Sequence, residues 1–246
     1  MKLISVNIEV NRHHDTVLPF LKKEKPDVIC IQELLEDDFN RYKKELNIYG
    51  VWKPVNYVHY PLLDSANGQR HGVAIFAKNI IDSGEVHYYG KGILESYGDY
   101  LADPESKRKN TCLIWADVKN GDGKIFKFIN THLPVTPQGE VTPYQVEAVD
   151  GLLKALKSFP EFVLCGDTNA PRGRVSFDRI AKEYKDNIPL EYKTSIDQKL
   201  HRAKGLMYMV DALFSTPSYK VSKVKLSDGV SDHMAVVADI EKISPS

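Results

Sequence analysis

Polar residues of a particular kind stand where the apolar runs of this chain stop. Asn7 follows KLISV, Glu33 follows VICIQ, His132 follows KFINT, and Asp167 follows FVLCG with Asn169 two positions on. Asp211 follows YMV, and Asp232-His233 precede MAVV. The set is rich in carboxylates, carboxamides and imidazoles and poor in lysine and arginine. Such oxygens suit a hard divalent cation, Mg²⁺ or Mn²⁺, which takes one or two carboxylates and keeps waters that phosphate oxygens can replace. Zinc is a poorer match, because these histidines lack a tight His-x-x-x-His spacing and no thiolate accompanies them. Phosphate-ester hydrolysis needs in-line attack by water, neutralised equatorial oxygens and a stabilised leaving oxygen. An aspartate facing the water is a candidate base, and a carboxylate-held histidine can donate a proton or bind developing charge.

Each position also has an ordinary reading. An Asn or Asp at a strand end commonly bonds its own backbone two residues on. Glu33 alone could open a solvated acidic loop, Leu34 to Asp38, and His132 could be a hydrogen-bonded structural histidine. Together these readings compound poorly, because strand ends at one edge of a pair of sheets converge in space.

The elements that must position these residues are short runs rich in β-branched and aromatic side chains: KLISVNI, DVICIQ, GVAIFA, TCLIWADV, KIFKFIN, EFVLCG, LMYMVDALF, YKVSKVKL and HMAVVADI. Length and composition make them strands. Thr142-Pro143-Tyr144-Gln145 predicts a helix start with an N-cap, a proline at the first helical position and a capping-box Gln. Val146, Val149, Leu152, Leu153 and Leu156 then form one apolar stripe. Further helices are expected from Thr16 to Lys25 and from Ser176 to Tyr184. Near-continuous apolar strands beside helices imply a layered α/β (α+β) build in one domain, residues 1–246. Residues Gly90 to Asn110 lack periodicity and read as a long loop beside the strand ends.

The 246 residues carry 33 Lys+Arg against 33 Asp+Glu, a net charge of zero that argues against a protein coating nucleic acid by bulk charge. No apolar run is long enough to span a bilayer, and MKLISVNIEV lacks the long apolar stretch of a secretory signal, so a cytoplasmic protein without membrane insertion is expected. Cys30, Cys112 and Cys165 each lie in an apolar run and read as reduced core residues.

SVNIE, PDVICIQE, THL at 131–133, GDTN at 166–169, MVDALF and SDH at 231–233 occur in an order and spacing that resembles the endonuclease/exonuclease/phosphatase superfamily over almost the whole chain. The resemblance implies a deoxyribonuclease I-like, four-layer αββα sandwich of two packed, mainly antiparallel sheets with the site at one sheet edge. By similarity, Glu33 is the principal ligand of Mg²⁺ or Mn²⁺, with Asn7 and Asp232 contributing. Asp167 orients or deprotonates the attacking water and Asn169 holds a phosphate oxygen. Asp211 fixes the tautomer of His233, and His132 and His233 donate to phosphoryl oxygens or the leaving group. Glu9 stands where some family nucleases carry Asp and is a weaker metal-site candidate.

The implied activity is a divalent-metal-dependent phosphodiesterase of nuclease type, with DNA, RNA or a nucleotide-like ester as substrate. The alternatives are a phosphoesterase for a small phosphorylated metabolite or lipid headgroup, and a non-catalytic scaffold. His132 replaces the Tyr of the abasic-site endonucleases, which ranks that activity lower. GDTN resembles the tyrosyl-DNA phosphodiesterase form, yet Ala170-Pro171-Arg172-Gly173 departs from it. Lys107-Arg108-Lys109, Arg172 with Arg174, and His201-Arg202-Lys204 are candidate phosphate grips, Arg172 and Arg202 foremost. Tyr88, Tyr89, Tyr97 and Tyr100 are candidate stacking surfaces or loop-packing residues.

Overall fold

The computed structural model describes residues 1–59, 65–90, 92, 97–102 and 110–243. The strands are β1 (Lys2–Asn7), β2 (Val28–Leu35), β3 (Tyr49–Tyr57), β4 (Arg70–Ala77), β5 (Ile80–Tyr89), β6 (Thr111–Lys119), β7 (Ile125–His132), β8 (Val163–Asp167), β9 (Lys185–Asp186), β10 (Asp211–Ser215), β11 (Tyr219–Ser227) and β12 (Ala235–Lys242). The helices are α1 (His14–Glu24), α2 (Glu36–Leu46), α3 (Tyr97–Ala102), α4 (Pro143–Leu156) and α5 (Val175–Glu183). One six-stranded sheet runs β11-β12-β1-β2-β4-β3, the other β5-β6-β7-β8-β10-β9. Each is mixed. Among the described strands, only β1 with β2 and β7 with β8 pair in parallel; the other neighbours are antiparallel.

Strand alternation produces three apolar layers from one pattern. Leu3, Val28, Cys30, Ile75, Ile114, Phe128, Cys165 and Leu213 meet between the sheets. Their neighbours Ile4, Val6, Ile29 and Ile31 point the other way, onto Val17, Leu18 and Leu21 of α1 and Tyr42 of α2. On the far side, Ile129, Leu164 and Phe214 meet Val149, Leu152 and Leu156 of α4 and Phe177 and Ile180 of α5. The result is the αββα sandwich. The three cysteines are buried and free.

Several expectations need correction. The acidic segment after Glu33 is the end of β2 and the acidic first turn of α2, an N-terminal placement that the helix dipole favours. The Gly90–Asn110 stretch contains a short helix, α3, and most of its remainder lies outside the described residues. At α4 the Thr142 side chain does accept from Gln145 N at 3.3 Å, but Gln145 completes no capping box. Its amide donates to the Asn169 carbonyl at 3.0 Å and so ties the helix to the loop that follows β8.

Gly166 is where the two parallel strands approach most tightly. It lies beside Thr131 in register, has φ +149°, and a Cβ there would sit 2.0 Å from the Thr131 carbonyl oxygen. Gly166→Ala is therefore expected to lower stability in urea unfolding by about 3 kcal/mol, the upper range for overpacking a tight interior; an unchanged midpoint would show that β7 and β8 can part at no cost.

Candidate active site

Parallel pairing brings strand ends to one edge of the sandwich. Asn7 of β1 lies in register with Gln32 of β2, and His132 of β7 with Asp167 of β8. Two antiparallel strands begin at the same edge. Asp211 opens β10 opposite Asp167, and β12 starts two residues after His233. Asp211 thus begins its strand instead of ending one, because residues 206–210 are irregular. Alternation sets Asn7 on the inner face with Leu3, His132 with Phe128, Asp167 with Cys165, and Asp211 with Leu213.

Glu33 needs a separate device. By strict alternation it would face the helix layer, opposite to Gln32. The pairing of β2 with β4 slips between Ile31 and Leu34, so a bulge intervenes, and Glu33 within it takes φ +62° and reaches the cleft. Glu9 at φ +44° and Asn169 at φ +48° are also left-handed, so uncommon backbone clusters around this edge.

The bulge is pinned from the opposite sheet. Asn130 Nδ2 of β7 donates to the Ile31 carbonyl at 2.9 Å and to the Ala74 carbonyl at 2.8 Å. Gln32 Nε2 donates to Asn130 Oδ1 at 2.7 Å and to Ser5 Oγ at 3.2 Å. All three side chains are buried, and they form a polar layer between the apolar core and the open edge.

Above that layer the acids converge. Asn7 Nδ2 donates to Glu33 Oε1 at 3.2 Å and to Asp167 Oδ2 at 3.1 Å, while Asn7 Oδ1 accepts from Glu9 N at 3.1 Å. His132 Nε2 lies 3.5 Å from Asp167 Oδ2 and 3.9 Å from Glu33 Oε1. Asn169 N donates to Asp167 Oδ1 at 2.8 Å, and Asn169 Nδ2 reaches His132 Nε2 and the Leu133 carbonyl, each at 2.9 Å. His233 Nδ1 lies 2.7 Å from Asp211 Oδ2, and its Nε2 turns toward Asp167 Oδ2 at 3.9 Å. Ser195 locks this corner: its Oγ accepts from Val210 N and Asp211 N at 3.1 Å, and its carbonyl accepts from Met234 N at 2.7 Å.

Charge and burial set the protonation of these groups. Burial alone would raise Asp167, but the His233 and His132 rings and the Asn169 amide hold its carboxyl well below the usual range. Burial raises Asp211, with His233 opposing and Asp167 adding to the rise. Burial also raises Asp232, and Glu9 adds to it. Burial would lower His233, yet Asp211, Asp167 and Asp232 push it well above the ordinary histidine value.

The cleft encloses about 430 Å³ and is lined by Asn7, Glu9, Glu33, His132, Asp167, Asn169, Asp232 and His233 among others. Asp211 stands behind His233. The donor set is oxygen-rich and fits a hard divalent cation. Among the described residues, two groups have ligand atoms close enough to share one ion: Glu9 with His13 and Asp232, and Asp167 with Asp211 and His233. Glu33 belongs to neither.

The expected phosphate grips divide. Arg202 lines the cleft. Arg172 does not; its guanidinium pairs with Asp186 at 2.8 Å and donates to the carbonyls of Ile188, Pro189 and Tyr192, so it fastens the chain after β9. Arg174 donates to the Gln138 carbonyl at 2.7 Å. Lys107-Arg108-Lys109 and the Tyr100 side chain lie outside the described residues. Tyr88 bonds Thr131 Oγ1 at 2.6 Å, and Tyr88 and Tyr89 pack toward α4. Tyr97 packs over Gly68. These three are packing residues. The cleft is also lined by Asn56, Tyr57, His59, His71 and Asn110, which the sequence reading left out. His71 and Asn110 immediately precede apolar runs, as Asp232-His233 do, so the same boundary rule marks them.

Two measurements test this geometry. Asn130→Ala leaves two buried carbonyls without their donor, and urea unfolding is expected to show a loss of about 3 kcal/mol; a neutral outcome would remove the clamp. A raised folded pKa for His233 means that its pairing stabilises the fold fully below about pH 6.5 and is lost as pH climbs through the folded value. In metal-free protein, the His233 ring is expected to titrate by NMR above pH 6.5 and to fall on Asp211→Asn; an ordinary midpoint in both would contradict the pairing.

A sequence profile of the endonuclease/exonuclease/phosphatase family matches residues 4–233. No protein of curated function matches the sequence significantly. Among solved structures, the human nocturnin catalytic domain with bound sulfate is similar at TM-score 0.72 and 16% identity, covering 98% of this chain and 93% of that one. The Bacteroides thetaiotaomicron mannosyl-6-phosphatase is similar at TM-score 0.69 and 15% identity, covering 98% and 99%. A humanized D. rerio TDP2 is similar at TM-score 0.68 and 15% identity, with the same coverage. At these identities the structural likeness is one of fold, and the family rests on the profile. Spanning nearly all of the described fold and every strand end that builds the cleft, that match makes this chain a member of the endonuclease/exonuclease/phosphatase family.

Proposed function

We propose that this protein is a divalent-metal-dependent phosphoesterase that hydrolyses a compact phosphate ester by in-line attack of water. The observation that carries the reading is the line Asp211–His233–Asp167. With Nδ1 engaged by Asp211 at 2.7 Å, His233 presents Nε2 to the cleft, 3.9 Å from an Asp167 held strongly ionised. Asp167 orients and deprotonates the water. His233, kept protonated by its acidic partners, binds the developing charge or gives its proton to the leaving oxygen. His132, held beside Asn169, faces the phosphoryl oxygens, and Asn169 adds orientation without charge. Glu33, Asn7 and Asp232, with Glu9 nearby, would hold Mg²⁺ or Mn²⁺. A bound cation supplies neutralisation of the phosphoryl oxygens and a more acidic water.

Size and charge favour a compact substrate over a long polyanion. Among the described residues lining the cleft, Arg202 is the one arginine or lysine, against Glu9, Glu33, Asp167 and Asp232. A volume of about 430 Å³ is on the scale of small-molecule sites. Arg172, the other foremost phosphate grip, is engaged elsewhere, which withdraws support from nucleic acid as the main substrate. The unpaired buried cysteines fit work in the cytoplasm.

Hydrolysis of p-nitrophenyl phosphate and bis-p-nitrophenyl phosphate is expected to require Mg²⁺ or Mn²⁺ and to stop with chelator. Asp167→Asn and His233→Ala are each expected to lower kcat about 10³-fold. Equal rates in parent and variants would contradict the assignment, and no turnover of either ester would favour a scaffold. Preferred cleavage of duplex DNA or RNA, falling steeply with salt, would restore the nuclease reading.

A further inference from the structure

One wall of the cleft is not used by the chemistry above. Asn56 on β3 and Asn110, the residue before β6, approach it from opposite sheets and line it together. Each is only 8% exposed. Asn56 Oδ1 accepts from Tyr57 N at 3.0 Å, but its NH2 has no hydrogen-bond partner among the described residues. The Asn110 carboxamide makes no hydrogen bond among them. Neither carboxamide is sealed from solvent: the unengaged atoms open onto the cleft. A ligand that fills the cleft would meet their hydrogen-bonding capacity.

The chemistry of this wall indicates which half of the ester it touches. Carboxamides carry no charge, whereas His132, His233 and Arg202 elsewhere in the cleft suit a phosphoryl group; His71 lies beside Asn56 in register. The carboxamide wall is left for the alcohol. A carboxamide both donates and accepts, as a hydroxyl does, so two of them facing one space match an alcohol bearing several hydroxyls. A nucleobase would gain most from an open aromatic face to stack on. Tyr57 in this wall is 7% exposed and has the Tyr97 ring 5.7 Å away, so it offers little free face.

We propose that Asn56 and Asn110 form the subsite for the alcohol half of the ester and that they select a polyol, a sugar or a cyclitol, over a nucleoside. This rests on the phosphoesterase reading. The discriminating experiment compares kcat/KM of the Mg²⁺-loaded protein for a hexose phosphate, an inositol phosphate, a nucleoside monophosphate and p-nitrophenyl phosphate. At least one polyol phosphate is expected to exceed the nucleotide by about tenfold, the worth of one well-made hydrogen bond. Asn110→Ala and Asn56→Ala are each expected to lower the polyol value by about tenfold while leaving p-nitrophenyl phosphate nearly unchanged. Asn110→Ser serves as a second variant should the alanine protein fail to fold. A preferred nucleotide, an equal loss on every substrate, or turnover of p-nitrophenyl phosphate without any polyol phosphate would overturn the subsite and leave the phosphoesterase reading standing. Failure on p-nitrophenyl phosphate as well would instead remove the phosphoesterase reading. Calorimetric titration of the same hexose and inositol phosphates then decides the subsite: weaker binding to Asn110→Ala supports it, and no binding or unchanged binding ends it.

Discussion

One buried amide holds the two sheets together at the edge where the cleft opens. Asn130 reaches from β7 across the sandwich to carbonyls on β2 and β4, and it receives the Gln32 amide in return. Below this layer the inter-sheet space is apolar; above it the same inward-facing positions carry Asn7, His132, Asp167 and Asp211. An abrupt step from hydrocarbon to carboxylate would leave charges uncompensated against a dry core. This carboxamide layer makes the step gradual, although Gln32 Oε1 is buried without a partner among the described residues, and its geometry fixes the bulge that carries Glu33 into the cleft. Such networks are unforgiving, because a buried carbonyl that loses its donor costs more than the bond contributed.

Electrostatics explains the rest of the site. Several acids share one edge of the sandwich, and their mutual repulsion is met in different ways. Asp167 stays ionised beside two histidines; Asp211 is raised by burial and pairs with His233. Glu9, which burial alone would raise, is held low by His13, Arg12 and Arg202. The overall net charge of zero therefore conceals a local acidic cleft with modest positive compensation, a donor set that fits a bound divalent cation.

The central strands were legible in the sequence because both their faces are buried, so they read as continuous apolar runs ending in polar residues that meet at one edge. The strands that escaped notice, β3, β5 and β9, are all sheet edges. Their half-exposed positions dilute the apolar signal, and Pro54 in β3 and Gly84 in β5 weaken it further. α2 was hidden by its polarity, with Tyr42 its one buried side chain. The cleft residues at ends of inner strands were legible for the same reason as the strands. Arg172 misled because a charged residue beside a motif says nothing about its partner, here Asp186. Asn56 lay in an unrecognised edge strand, and its relation to Asn110 depends on how two sheets meet, which no local pattern encodes.

The central claim is that water held by Asp167 attacks phosphorus in line while His233 serves the leaving oxygen. Turnover of a phosphomonoester in ¹⁸O-labelled water tests it most directly. The account predicts label in the phosphate and none in the alcohol, with inversion when a chiral phosphate ester is used. Label in the alcohol would place the cleavage at carbon, and retention at phosphorus would require a covalent phosphoenzyme; either result would contradict the account.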